Sequence, residues 1–277
     1  MLKKLRVLFA VVMGAVITFY FLDFAGLTTG WPNLARIQFV PALLAGSFGI
    51  VLILLVATLL FGRIYCSVIC PLGVFQDAVS WFSGKQKKNR FRYSPALKWL
   101  RYGVLAVFIL ALVAGLNAFV VLLAPYSAYG RMVSSLLAPV WQWGNNLLAY
   151  FAERAESYAF YEVDVWMKSL STLIIAVITL IVLFVLAWRN GRTYCNTICP
   201  VGTVLGFISR YSIFKPVIDT SKCNSCGLCA RNCKASCINA KAHEIDYSRC
   251  VACMDCLGKC KQGAIKYTRR IQKKEGG

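Results

Sequence analysis

The chain is poor in the residues from which many redox sites are built. It has a single histidine, His243, among its 277 residues. A membrane b-type haem held by two histidines is therefore excluded within this chain, and so is a quinol site built on histidines. No glycine-rich dinucleotide motif and no flavin site occurs either, so the sequence carries no signal for nicotinamide or flavin chemistry.

Charged residues are also scarce. They make up 15% of the chain, 58% is hydrophobic, and the mean hydropathy is +0.62. Soluble domains carry about a quarter charged residues, so this composition predicts a membrane protein. A bilayer span takes about 20 apolar residues, and four stretches are long enough: 7–27, 40–61, 103–124 and 168–188. The first is predicted to be an uncleaved anchor, because it lacks a small-residue cleavage site.

Lysine and arginine are unevenly divided among the segments around these spans. The first six residues carry three, residues 62–101 carry eight, and the portion from Arg189 carries sixteen. Because positive charge is retained in the cytoplasm, we expect a multi-pass protein of a prokaryotic cytoplasmic (inner) membrane with both termini cytoplasmic. Topology and contact with membrane lipid then explain the net charge of +20, and no nucleic acid is needed as a partner.

A short motif with two cysteines occurs twice, 129 positions apart, as GRIYCSVICPLG and GRTYCNTICPVG. Its proline ends the preceding helix and suits the first turn of the next one, which puts Cys70 and Cys199 at helix N-caps. The positive end of the helix dipole favours a thiolate there. Arg63 and Arg192, each three residues before the first cysteine of its copy, act in the same direction.

Pairing the two copies, each as the inner end of a helix hairpin, would bring four thiols together. They are Cys66, Cys70, Cys195 and Cys199. Four thiolates suit a third iron–sulfur centre or a rubredoxin-like iron. Four reduced thiols, or a thiol–disulfide switch, remain the alternatives.

Two further runs, CNSCGLCARNC and CVACMDCLGKC, have the C-x2-C-x2-C-x3-C spacing of a bacterial two-cluster ferredoxin. Each run lends its last cysteine to the cluster of the other run. The ligands of the first [4Fe–4S] cluster are predicted to be Cys223, Cys226, Cys229 and Cys260. Those of the second are predicted to be Cys250, Cys253, Cys256 and Cys233.

These runs depart from the usual pattern in two ways. Lys234 and Lys261 replace the proline that normally follows the fourth cysteine. A lysine there would raise a cluster potential or meet an acidic partner, but a solvated lysine is the simpler interpretation. Cys237, a ninth cysteine of this region, is predicted to be a packed free thiol.

The predicted fold is therefore that of a mainly α membrane protein in two parts. Residues 1–218 form four transmembrane helices in two duplicated hairpins, with the C-x3-C-P motifs at 66–71 and 195–200 on the inner face. Residues 219–277 form a small cytoplasmic α+β two-cluster ferredoxin domain with a basic tail.

The motifs CSVICP and CNTICP, followed by two four-cysteine runs, resemble the membrane-bound polyferredoxins of the NapH and NosR type. The layout, with four spans and an ending soon after the ferredoxin, looks most like the NapH type, the quinol dehydrogenase component of periplasmic nitrate reductase systems. The resemblance implies an electron-transfer subunit that is not itself catalytic. It would pass electrons between the quinone pool or a cytoplasmic donor and a partner oxidoreductase, whether a ferredoxin, a cytochrome or a terminal reductase.

Two further expectations accompany this resemblance. Other relatives, of the CcoG and NosR type, imply an assembly or regulatory factor that reduces a metal or thiol in another enzyme, and this is the alternative function. A bound quinone is the additional cofactor. Asp23, the one acid within a predicted span, is its candidate proton partner, although an acid near the membrane surface is cheap to accommodate.

Overall fold

The structure is a computed structural model that describes residues 2–22, 35–86, 91–154, 161–165 and 169–269. Its helices are α1 (Leu2–Leu22), α2 (Phe39–Leu44), α3 (Phe48–Phe61), α4 (Tyr65–Val68), α5 (Pro71–Gln86), α6 (Lys98–Val113), α7 (Asn117–Leu123), α8 (Pro125–Met132), α9 (Ala138–Arg154), α10 (Leu170–Asn190), α11 (Thr193–Thr197), α12 (Pro200–Ser209) and α13 (Leu228–Arg231). The strands are β1 (Phe214–Ile218), β2 (Ile238–Asn239), β3 (Glu244–Ile245) and β4 (Ile265–Arg269).

Two helices among the described residues are long and apolar enough to cross a bilayer unbroken. They are α1 and α10, each of 21 residues, and they correspond to the first and fourth predicted spans. A third candidate is the pair formed by α7 and the helix at Pro125–Arg154, which is bent by 79°. Asp23 and the basic tail from residue 270 lie outside the described residues.

The predicted spans 40–61 and 103–124 are not continuous helices. Each is broken at a glycine with positive φ, Gly46 at 68° and Gly115 at 71°. In both places the glycine N–H bonds the carbonyl three residues back, and the next N–H bonds the carbonyl five residues back. This is the Schellman pattern that ends helices. A hydropathy count missed both ends, because alanine and glycine are apolar enough to extend a run.

The duplicated motif lies within the same order of helices in both copies, α3–α4–α5 and α10–α11–α12. Helix α5 packs against α10, and α12 packs against α3. Helix α1 contacts α4 and α5, while α6 contacts α11 and α12. The helix after the motif in each copy therefore packs against the helix before the motif in the other copy, in a pseudo-twofold arrangement.

The ferredoxin module is a small α+β unit, as expected. Strand β1 pairs antiparallel with β4, with Phe214 opposite Arg269 and Ile218 opposite Ile265. Strands β2 and β3 form a second two-stranded pair. The β1–β4 pair holds the two ends of the module together, and it includes residues that precede position 219.

The amino end of α1 is tied to the ferredoxin side of the molecule by ion pairs. Lys3 Nζ lies 2.7 Å from Asp255 Oδ1 in the second cysteine run. Arg6 Nη1 lies 2.7 Å from Asp77 Oδ2 on α5. The start of the chain, both C-x3-C-P motifs and the module therefore lie at the same end of the helices.

Candidate iron–sulfur sites

The structure brings the four cysteines of the C-x3-C-P motifs to one buried pocket, hereafter the four-cysteine pocket. Its members are 3–4% exposed, and they are Cys66, Cys70, Cys195 and Cys199. A contact between the copies runs through Gln76 of α5, whose Nε2 lies 3.4 Å from the Sγ of Cys195. Nothing in the sequence pointed to Gln76, because its role depends on the packing of α5 against the other copy.

The second cysteine of each motif caps a helix, as predicted. The N–H of Gly202 donates to the Sγ of Cys199 at 3.4 Å, and Gly73 bonds Cys70 in the same way. The expected preference for free thiolates is wrong, however. Burial raises the pKa of the Cys70 and Cys199 thiols, and the neighbouring cysteines raise it further. Desolvation outweighs the helix dipole here, so thiolates in this pocket require a bound cation.

Two fully buried arginines hold the copies together. Arg63 Nη2 donates to the carbonyl of Cys195 at 3.1 Å, and Arg192 Nη1 donates to the carbonyl of Cys66. Each arginine thus reaches across to the first cysteine of the other copy. The sequence predicted only an effect within the same copy, and Arg63 does also lie 3.9 Å from its own Cys66 Sγ.

The glycine that ends each motif has a steric role that the sequence left unexplained. A Cβ at Gly73 would collide with the carbonyl oxygen of Cys66 and lie 2.7 Å from Arg192 Nη1. A Cβ at Gly202 would collide in the same way with the carbonyl of Cys195. The glycine repeated in both motifs therefore indicated that the backbone at this position lies close to the backbone of the first cysteine.

The metal interpretations of the four-cysteine pocket stay predictions. Within the described ranges, no three or more His, Cys, Asp or Glu side chains converge in a way that would hold a single metal ion. A third iron–sulfur centre and a rubredoxin-like iron are the two centres predicted for these four cysteines.

Within the ferredoxin module, one small cavity lies on the side of the four-cysteine pocket. We call it the proximal cavity. Four of its lining residues are the cysteines predicted to bind the second cluster: Cys233, Cys250, Cys253 and Cys256. Apolar side chains, including Ile238 and Val251, complete the wall. Thiols in an apolar surrounding are the chemistry that a [4Fe–4S] cluster takes.

A second small cavity is also lined by cysteines and apolar side chains, and we call it the distal cavity. It is lined by the other predicted set, Cys223, Cys226, Cys229 and Cys260. Ser225, Ala252 and Met254, which line the two cavities, have positive φ. Such residues turn successive backbone N–H groups in one direction, as anion-binding loops do. Both cavities therefore fit the anionic clusters predicted for them.

The ninth cysteine of this region also lines the proximal cavity. Cys237 is buried, as predicted for a packed thiol, but its Sγ lies only 3.5 Å from the Sγ of Cys233. The hydrogen bond from Cys237 lowers the pKa of Cys233 to about 7 and raises the pKa of Cys237 itself. Once Cys233 binds a cluster as a thiolate, Cys237 is the donor in this pair.

The two lysines that replace proline differ in their surroundings. Lys261 is exposed, as expected. Lys234 is not a solvated lysine: its Nζ lies 3.0 Å from Asp255 and 3.5 Å from Asp77. Asp77 also binds Arg192 at 2.8 Å. The lysine after Cys233 therefore belongs to an ion-pair network between the module and the C-x3-C-P motifs.

The proximal cavity and the four-cysteine pocket are neighbours. Arg63 Nη1 donates to the carbonyl of Ser248, two residues before Cys250, at 3.1 Å. The N–H of Arg192 donates to the carbonyl of Lys234, next to Cys233, at 2.8 Å. Both arginines that enclose the pocket thus also bond the loops of the proximal cavity.

Comparison with known proteins finds a family match around the two C-x3-C-P motifs. The family described as "4Fe-4S binding domain" matches residues 43–89 and 171–219, and each match contains one C-x3-C-P motif. The ferredoxin-type protein NapH of Haemophilus influenzae is 26% identical over 186 residues, which is 67% of this chain and 52% of that protein. No solved structure matches the chain.

Two more relatives have similar coverage. The methylamine utilization ferredoxin-type protein MauN of Paracoccus denitrificans is 26% identical over 207 residues, or 74% of this chain and 56% of that protein. The putative electron transport protein YccM of Escherichia coli is 24% identical over 197 residues, or 70% and 47%. The chain spans about half the length of these curated relatives.

The fold is helical, with two helices long and apolar enough to cross a membrane. In sequence the chain is similar to the ferredoxin-type proteins NapH and MauN.

Proposed function

We propose that this chain is an iron–sulfur electron-transfer protein anchored in the cytoplasmic membrane. The observation that carries the proposal is the grouping of cysteines around two cavities, in the two sets predicted from the ligand spacing of bacterial ferredoxins. A bound [4Fe–4S] cluster in each would accept and release one electron at a time. The names of relatives such as NapH and YccM agree with this activity.

The arrangement of sites supports an order of electron flow. Cys226 in the distal cavity is exposed, whereas Cys253 and Cys256 in the proximal cavity are buried. The proximal cavity shares the loops bound by Arg63 and Arg192 with the four-cysteine pocket. Soluble partners would therefore exchange electrons at the distal cavity. The proximal cavity and a third cluster in the four-cysteine pocket would continue the path toward the membrane.

The protein residues have defined tasks in this path. Arg63 and Arg192 bridge the copies and neutralise part of the negative charge that thiolates bring into a buried pocket. The apolar walls of the two module cavities exclude water. Lys234 and its partners Asp77 and Asp255 fix the module against the motifs.

A cytoplasmic location of the module completes the proposal. The ion pairs of Lys3 and Arg6 support a common side for the amino terminus, the motifs and the module, and the basic residues favour the cytoplasm. Electrons would pass between a cytoplasmic donor or the quinone pool and a partner oxidoreductase. The partner contributes the catalytic chemistry.

Metal analysis of the full chain, purified anaerobically in mild detergent, tests the proposal. Two [4Fe–4S] clusters correspond to about eight irons per chain, and a third corresponds to about twelve. Reduced protein is expected to give interacting cluster signals by EPR. Cys226→Ala is expected to remove the distal signal and Cys253→Ala the proximal one. A folded chain that binds no iron and sulfide after anaerobic reconstitution would contradict the proposal.

A further inference from the structure

A third cavity, of about 410 Å³, lies apart from the cysteine sites, where the ferredoxin module meets the helices. Its walls come from the segment before α6, the first turns of α6, the end of α12 and the loop before Cys250. The lining residues that carry the argument are Lys98, Arg101, Arg210, Asp246 and Ser248. This composition is polar and basic, unlike that of the cluster cavities.

The charges around this cavity do not balance. Lys98, Arg101 and Arg210 are cationic, and Asp246 is the one acid among the lining residues. That acid is already occupied, because its Oδ2 accepts from Arg249 Nε at 2.8 Å. A cavity with three cations and one engaged acid favours an anion.

Arg101 is the buried cation of this site. It is 3% exposed, and its guanidinium donates only to uncharged groups, such as the carbonyl of Ser248 at 2.9 Å. Its Nε has no hydrogen-bond partner among the described residues. Burial and the neighbouring Arg63 lower the pKa of Arg101 to about 10. A buried guanidinium without a paired carboxylate costs free energy that a bound anion would recover.

The position of the cavity indicates which kind of molecule carries the anion. It opens at the first turn of α6, and apolar side chains of that helix are exposed to the surroundings. Trp99 is 95% exposed, and the others include Leu100, Val107, Leu110 and Val113. A phospholipid would place its headgroup among the cations and its acyl chains along this exposed surface.

We infer that this cavity is a binding site for the phosphate group of an anionic membrane lipid, which clamps the ferredoxin module to the membrane helices. Arg101 and Ser248 connect the headgroup site to the loop that leads to Cys250. Occupancy would therefore hold the proximal cavity in place against the four-cysteine pocket. This inference goes beyond the proposed electron transfer, and it stands or falls independently of it.

Lipid titration of the full chain in nanodiscs tests the inference. Phosphatidylglycerol added to phosphatidylcholine nanodiscs is expected to raise the melting temperature of the wild type, and native mass spectrometry should find the lipid retained. In Lys98→Gln/Arg210→Gln the apparent lipid affinity is expected to fall by at least roughly tenfold, since each cation near an anionic surface contributes on the order of 1 kcal/mol. Both side chains are exposed, so this variant should fold.

The control variant is Lys222→Gln/Lys241→Gln, which removes two exposed lysines of the module away from this cavity. It should respond to phosphatidylglycerol as the wild type does. Equal responses of all three proteins would overturn the inference, because the effect would then be general surface charge. Equal stabilisation by inorganic phosphate in pure phosphatidylcholine would overturn the lipid as the source of the anion. EPR of the clusters in each sample reports the proposed function separately.

Discussion

At the scale of single residues, Gly73 and Gly202 allow the helix after each motif to lie close to the first cysteine of that motif, beside an arginine of the other copy. An added Cβ at either position meets a backbone carbonyl of the first cysteine in its copy. We expect Gly73→Ala to destabilise the protein by at least 1–3 kcal/mol, about the cost of overpacking, and to reduce iron retention. Thermal unfolding and iron content of the purified full chain measure both effects.

Gly84 provides a matched control within the same helix. A Cβ there meets nothing within 4 Å. Alanine in an open helical position is favoured over glycine by about 1 kcal/mol, so Gly84→Ala is expected to be neutral or slightly stabilising. If Gly73→Ala behaved like Gly84→Ala, the packing between the copies would be looser than described.

Cys237 gives a second test at the same scale. Its thiol donates to Cys233, a predicted cluster ligand, across 3.5 Å, and hydrogen bonds to cluster sulfurs influence the reduction potential. We expect Cys237→Ala to keep the full iron and sulfide content but to lower the potential of the proximal cluster. Redox titration followed by EPR measures this shift, and Cys256→Ala serves as the comparison that loses the cluster. Loss of iron from Cys237→Ala would instead make Cys237 a ligand.

The candidate site could be predicted from the sequence only where residues act within a local spacing. The two sets of four cysteines follow from a known ligand spacing, and the structure groups them as expected. Asp77, Gln76 and the reach of Arg192 into the other copy could not be predicted. Their partners lie about a hundred residues away, and nothing in a local pattern shows which helix faces which.

At the scale of elements, Asp77 of α5 links three separate parts of the chain. It lies within ion-pair distance of Arg6 on α1, Arg192 before α11 and Lys234 in the module. Asp77→Asn would leave Arg6 and Arg192 buried without a counter-charge, while Lys234 keeps Asp255, and breaking such a buried pair costs about 3–5 kcal/mol. Thermal unfolding and limited proteolysis between α12 and the module measure the effect. Asp219→Asn, at an exposed acid, should change neither.

The same network makes stability depend on pH. Burial alone would raise the pKa of Asp77. Arg192, Lys234 and Arg6 outweigh this effect and hold the pKa well below its usual range. A carboxyl group with a lower pKa in the folded state than in the unfolded state stabilises the fold at pH values above its unfolded-state pKa of about 4. This contribution is lost as the pH falls below that value toward the folded-state pKa. We expect the melting temperature of the wild type to fall below pH 4. Asp77→Asn should show a shallower fall.

The sequence predicted helices correctly where a long apolar run forms one uninterrupted helix. Helices α1 and α10 lie close to their predicted positions because no residue with positive φ interrupts either apolar run, and Gly14 of α1 lies within the helix. The runs at 40–61 and 103–124 contain Gly46 and Gly115, and the structure uses both as helix ends. Hydropathy indicates whether a segment lies in an apolar environment, whereas the end of a helix depends on backbone conformation. A hydropathy profile therefore does not predict where a helix ends.

At the scale of the whole molecule, the cysteine sites lie together at one end of the helices. All thirteen cysteines fall between positions 66 and 260, and the ion pairs of Lys3 and Arg6 keep that end together with the start of the chain. The described residues offer no second redox-active group toward the other end. Under the proposed function, we therefore expect electrons for a partner on the opposite side to leave through a quinone or a second subunit.

In the proposed function, the four-cysteine pocket passes electrons between the ferredoxin module and the membrane. We expect Cys66→Ala and Cys195→Ala to abolish quinol-linked electron transfer in isolated membranes while both module clusters keep their EPR signals. The reason is that the proximal cavity adjoins the pocket through Arg63 and Arg192, whereas the distal cavity lies on the exposed side. Ser67→Ala, beside Cys66 on α4, is the matched control, because it removes a hydroxyl bonded only to the local carbonyl of Ile64. Wild-type rates in both cysteine variants would mean that the pocket is structural and that electrons enter the membrane by another route.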